Sequence, residues 1–493
     1  MSKTNSLILL VKSLSKSEKK AIYLRSTETK SVKGYMELFK MIDKQKISDS
    51  KILSECFMAK HPRAAFIPVV GYLYDYILRV LVDIKQHQDQ EYALYSKVLK
   101  AKILLERNLN ADSFQMIQQL QGEAEGLGNY YISLIARRME LDHVLLEEFN
   151  GFSEKDLIQK ENQISDTLKI VRQINEQAYL YELLRYRIQK HQYVGSSLKL
   201  QAFNDLIISE ITLTSKLRNN IFQIDKMHQL FQANYFISIG DYKSALNSFY
   251  ELNKLFLRNK KLWNNPPVYY VMVLEGILES LKRIGEYDQM EYYLNNLRQL
   301  DYPSVYFQVE IACIDFIYSA IPHLDRGEYK ESLEVIERFR SNLIQKIEYL
   351  RPQQYLHFSV YMAVIYLMNK KLGLARKQLA PIIVSDSYYD IWIYRPIQLL
   401  NLIIYYEKGD FEYVDSGVRS IKRRNKLMNK TSKIEALLFR FFHLDVSVMN
   451  PVKRKKMGQR FAKELETMVF DFEERRILSV FDFPKWIISH FEK

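Results

Sequence analysis

A chain of 493 residues with only 15 glycines and 11 prolines, and no proline between Pro68 and Pro266, lacks the turn formers of an all-β protein, so long helices are expected. Hydrophobic residues make up 47% of it, including 35 Tyr and 26 Phe, which excludes a disordered chain, and its two cysteines, Cys56 and Cys313, are too far apart in apolar helical patterns to suggest a disulfide framework. The net charge of +13 is polarised: residues 1–60 carry +7 and residues 419–463 carry +12, which leaves a mildly acidic middle at −6.

Residues 1–62 read as a small basic helical domain or cap. Ser15 to Glu18 forms a capping box that opens the helix KSEKKAIYLR, and Tyr35–Ile42 and Ile52–Met58 repeat apolar residues at helical spacing. The apolar run Leu7–Val11 is short for a signal peptide, and the longer run Phe66–Val82 is interrupted by Asp75 and Arg79. A cytoplasmic protein with no membrane insertion is therefore expected. Past His61 and Pro62, VVGYLYDYILRVLVDI reads as a helix buried on most sides. Residues 63–196 continue as degenerate helical repeats, with breaks at Asn108–Asn110, Gly126–Asn129 and Asn150–Ser153 and a closing turn at Gly195.

The segment 197–426 carries a clearer pattern. In ANYFISIGDYKSALNSFYEL, Gly240 suits the left-handed residue that ends one helix, Asp241 caps the next, and Tyr242, Ala245 and Phe249 form one apolar stripe. The module recurs at Gly285-Glu-Tyr287, Gly327-Glu-Tyr329, Lys370-Lys-Leu372 and Gly409-Asp-Phe411, so the turns are 45, 42, 43 and 39 residues apart. Five positions past each turn stands a small or medium residue (Ala245, Met290, Ser332, Ala375, Val414). Four further on stands an apolar one (Phe249, Leu294, Ile336, Leu379, Val418).

Gly-Asp/Glu-Tyr/Phe followed by a small and then an apolar residue resembles the tetratricopeptide repeat. The resemblance implies an all-α fold, a right-handed α-α superhelix of antiparallel helix pairs, with protein or peptide binding as its use. The copies here exceed the usual length of about 34 residues, and the small residue of the first helix, Ala233, Ala320 and Ala363, is Leu278 and Leu402 elsewhere. More loosely, SLSKSEKKAIYL and LLNLIIYYEKGDF with the later IKRRNK resemble an uncharacterised family of bacterial repeat proteins, which implies a fold and no activity.

Residues 427–493 read as a basic helical segment and a C-terminal capping helix. The runs Lys422-Arg423-Arg424 and Lys453-Arg454-Lys455-Lys456 are candidates for binding a polyanion, although Phe439, Phe441 and Phe442 fit a buried helix face better than a stacking platform. Nine histidines lie no closer than 26 positions apart, and no glycine-rich phosphate loop occurs, so no catalytic residue, metal site or cofactor is expected. The expected function is a non-enzymatic scaffold for a protein or peptide. The alternative is a regulator that contacts nucleic acid or another polyanion through its basic ends, with the repeats as sensor.

Overall fold

The computed structural model describes residues 2–26, 33–47, 49–190, 196–214, 221–263, 265–389, 391–428, 432–446, 449–468 and 472–492. Among them there is no strand, and successive helices pack on one another in chain order. The turn expected at Gly195 lies outside the described residues.

Lys3–Ser13, Lys16–Ser26, Lys33–Asp43, Ser50–Lys60 and Phe66–Gln88 share one core running from Leu7 to Val80. The capping box forms: the Ser15 amide donates to Glu18 Oε2 (2.7 Å) and the Glu18 amide to Ser15 Oγ (3.2 Å). The helix after residue 62 turns Val70, Leu73, Ile77 and Val80 into this basic unit, so the unit extends to Gln88. Next come three helices of 17 residues, Gln90–Glu106, Asn110–Gly126 and Tyr130–Leu146, around a small core of their own. The 37-residue helix Glu154–Lys190 then receives both Ser196–Thr214 and Phe222–Ile239.

Five hairpins follow. Their first helices are Phe222–Ile239, Val268–Ile284, Val305–Arg326, Pro352–Met368 and Tyr394–Glu407, and their second helices Tyr242–Arg258, Met290–Arg298, Tyr329–Arg338, Leu372–Ile383 and Phe411–Met428. Every turn has a left-handed residue: φ is 83° at Gly240, 79° at Gly285, 80° at Gly327, 58° at Lys370 and 77° at Gly409. The following amide bonds back to the first helix, Asp241 to Phe236 O at 2.9 Å and Lys371 to Tyr366 O at 2.8 Å, which satisfies a carbonyl the helix end would leave open. Lys370 reaches this conformation without glycine because the same backbone bonds close around it.

The ten residues five and nine positions past the turns are all buried, from Ala245, Ser332, Ala375 and Leu379 at 0% to Ile336 at 5%. Where one helix of a packed pair carries a large residue, its neighbour gives way. A Cβ on Gly417 would meet Leu402 Cδ2 at 2.6 Å, and one on Gly276 would meet the Phe249 ring at 2.2 Å. Tyr242 and Tyr287 lie under arginines from the end of the next first helix, Arg283 at 5.4 Å and Arg326 at 5.7 Å. Tyr329 is half-buried. Phe411, expected to pack in the same way, is 56% exposed; among the described residues no cation stacks on it, and the ring that meets its edge is Tyr406.

The same turn closes Gln90–Glu106, where no Gly-Asp-Tyr pattern exists. Asn108 has φ 59°, and the Leu109 amide donates to Leu104 O at 3.0 Å. Ala101, Ser113 and Ile117, all 0% exposed, stand seven before, five after and nine after Asn108, the spacings of Ala233, Ala245 and Phe249 from Gly240. The module thus extends into the stretch that reads as degenerate.

Among the described residues one helix, Val305–Arg326, is long and apolar enough to cross a membrane, yet 67% of its apolar window is buried within the protein. It also carries Asp315, which takes two hydrogen bonds of 2.8 Å from Arg298.

Candidate functional site

The C-terminal segment does more than seal the last hairpin. Glu474, 2% exposed, accepts from Ser432 Oγ (2.7 Å) and from the Lys433 (2.6 Å) and Ile434 (3.1 Å) amides, so its carboxylate caps the helix Lys433–Phe442. From that anchor the chain runs back across the first helices of the hairpins. Arg475 lies so close to Gly240 that a Cβ there would meet its Nη1 at 2.3 Å. Arg476 stacks on Trp392 (4.1 Å), Lys282 Nζ donates to Ser479 O (3.1 Å) and to Tyr361 OH (2.8 Å), and Trp486 Nε1 donates to Glu407 (2.8 Å). Ile477, Val480, Phe481, Phe483 and Ile487 are buried in the same core as the hairpins.

Two adjoining cavities remain beneath this segment, of ≈ 380 Å³ and ≈ 580 Å³. The larger sets Leu324, Leu367 and Leu478 beside Asp325, Lys370, Glu407 and Lys485. The smaller likewise mixes charged and apolar side chains, and its wall has a regular origin: Gly276, Tyr318 and Tyr361 each stand nine residues before a left-handed turn residue, and Met272 and His357 thirteen before.

Charged side chains line both cavities, and in the smaller one Glu279, Lys282 and Arg283 lie together. Burial acts to raise the Glu279 carboxyl, but Lys282 and Arg283 beside it outweigh that, with hydrogen bonds from Arg283 Nε (2.7 Å) and Tyr318 OH (3.1 Å), and hold it at about 2. Glu275 is open to water on one side and enclosed by protein on the others; that enclosure, then Glu310 and Glu279, pushes it up to about 7. Burial lowers His357 to about 4, so its ring is neutral at pH 7, and among the described residues its buried Nε2 has no hydrogen-bond partner.

The basic runs lie on two different helices, Phe411–Met428 and Pro451–Met468. Lys422 and Arg423 are exposed, but Arg424 is drawn onto Tyr389, with its guanidinium 4.0 Å from the ring and a 3.0 Å bond to the hydroxyl. Lys453, Lys455 and Lys456 are exposed and Arg454 is half-buried. Phe439, Phe441 and Phe442 are 3%, 0% and 7% exposed, so these three rings form no stacking platform. Among the described residues no group of three or more His, Cys, Asp or Glu could hold a metal ion.

Sequence reasoning missed the smaller cavity because its residues come from widely separated segments, none with a motif of its own. It also missed an uncovered face. Counting back from Asn108, the positions that line the cavity elsewhere are Leu99 and Tyr95, and here they are 62% and 55% exposed. With Tyr92 (45%) and Ile103 (50%) they form one stripe along Gln90–Glu106, continued on the adjacent helix by Tyr131 and Ile135. Their spacing of three, four and four residues was the available signal.

No family model, no curated protein and no solved structure matches this chain.

Proposed function

We propose that the chain is a non-enzymatic binding scaffold of tetratricopeptide-like repeats, a right-handed superhelix of antiparallel helix pairs, that holds an amphipathic helix of a partner protein. The observation that carries this is the stripe Tyr92, Tyr95, Leu99 and Ile103. Large apolar side chains left half-exposed in a helical row mark an interaction surface. In the later hairpins the matching positions lie beside a short amphipathic segment of the chain itself, which supports a helix as the occupant. Covering four half-exposed side chains is worth on the order of 3–6 kcal/mol before the costs of association.

A photo-crosslinking residue placed at Leu99 in the native cell tests the proposal. It should trap one discrete protein that a probe at Val384, more exposed still, does not, and Tyr95→Asp should abolish the product while leaving the melting curve unchanged. Equal products at both positions would refute it.

A further inference from the structure

We propose that the larger cavity beneath the C-terminal segment is a binding site for a neutral, mostly apolar small molecule. Three parts of the chain supply its apolar lining: Ile321 and Leu324 near the end of the helix Val305–Arg326, Leu367 and Met368 at the end of Pro352–Met368, and Leu478 and Trp486 from the C-terminal segment. Leu324, Met368 and Leu478 stay half-buried. Apolar surface in this space therefore still meets water, and covering it would drive binding. The volume of ≈ 580 Å³ is that of a small-ligand pocket.

The charged groups set the class of ligand. Lys282, Arg283, Lys370 and Lys485 line the space with Asp325, Glu407 and Asp482. Glu279 adjoins it as counter-ion of the first two, 3.9 Å from Lys282 and 2.7 Å from Arg283. Four cationic side chains thus meet four carboxylates. Glu407 has Lys370 at 3.8 Å, His490 at 3.4 Å and the indole N–H of Trp486 at 2.8 Å, and Asp325 accepts from the Tyr287 hydroxyl at 2.6 Å. Asp482 accepts from the Lys485 amide at 2.9 Å, and the side chains of both residues are open to water. An ion entering this space would give up its hydration and meet a balanced set of charges, whereas a neutral molecule has no such hydration to lose.

Fluorescence titration of anilinonaphthalene into the full chain, beside anilinonaphthalene sulfonate, tests the site, because the two probes share one ring skeleton and only the second is charged. Saturable binding of the neutral probe at one site is expected, tighter than the sulfonate by about tenfold or more, since the charged probe is desolvated without a free counter-charge. Hydrogen exchange of the wild type should show the neutral probe protecting Pro352–Met368 and residues 478–490 while leaving Gln90–Glu106, which bears the exposed stripe, unchanged. Leu324→Trp fills the space and should weaken binding by about tenfold or more, and Tyr95→Asp, on the stripe, should leave it intact. The exchange pattern is read on the wild type, so the proposal stays testable even where Leu324→Trp fails to fold. No saturable binding, a sulfonate held as tightly as the neutral probe, or protection of Gln90–Glu106 in place of the C-terminal segment would overturn the proposal.

Discussion

Gly276 leaves no room for a side chain against Phe249, and alanine there should be destabilising although alanine is the better helix former. The added methyl would stand 2.2, 2.3 and 2.6 Å from Cζ, Cε1 and Cε2 of Phe249, where carbons rest about 3.5–4.0 Å apart. Phe249 is 3% exposed and packed in the main core, so its ring cannot swing out to make room. Overpacking costs roughly 1–3 kcal/mol, and replacing a mid-helix glycine returns roughly 0.5–1 kcal/mol, so a net loss of about 1–2 kcal/mol is expected. Gly122, with nothing within 4 Å of its Cβ position, is the control: Gly122→Ala should stabilise by about 0.5–1 kcal/mol. Because the chain has several cores, hydrogen exchange over Tyr242–Arg258 and Val268–Ile284 reports the local free energy better than a global melt. Adding Phe249→Leu, which frees the space, should remove the penalty of Gly276→Ala. A Gly276→Ala chain stabilised as much as Gly122→Ala, or strictly additive with Phe249→Leu, would refute the packing argument.

Three further outcomes are expected. Ala245→Trp forces a large ring into a position with no exposed surface and should lower the thermal midpoint by the equivalent of about 1–3 kcal/mol or more; an unchanged midpoint would show that Ala245 makes no close helix contact. Glu407 is held at about 2, below its ordinary 4.5, by the hydrogen bond from His490 foremost and that from Trp486, so the stability it contributes is present above 4.5 and is lost as pH falls toward 2. His357, lowered by burial from 6.5 to about 4, adds a loss over that higher range. Urea midpoints against pH should show both limbs, the lower one absent in Glu407→Gln. Finally, neutralising Lys453, Arg454, Lys455 and Lys456 should change nothing in duplex or single-strand binding across a salt series. A steep salt dependence that the variant flattens by close to one unit per lost phosphate contact would instead favour the nucleic-acid reading.

Much of the hairpin architecture was legible from residues 233–418, because a left-handed turn with its cap is a local event: Gly240, Asp241 and their backbone partners lie within six positions. Burial at Ala245 and Phe249 follows from the same local helix phase. The copy at Asn108 was hidden because asparagine also tolerates the left-handed conformation, and Ser113 replaces the expected alanine with a hydroxyl satisfied by Ala101 O at 2.9 Å.

The smaller cavity could not be read at all. Arg185, Lys282 and Arg475 share no pattern, and they face one space only because Glu474 caps a helix 40 residues earlier and turns the chain back toward Gly240. The fate of each exposed or basic stretch was equally tertiary: Arg424 left the surface for Tyr389, Phe439, Phe441 and Phe442 went into the core, and Tyr95 and Leu99 remained open although their counterparts His357 and Tyr361 were covered. By itself the sequence determined helices, turns and the phase of their apolar faces, since these depend on neighbours a few residues apart. Which of those faces meets another part of the chain depends on contacts hundreds of residues apart, and only the tertiary structure decided it.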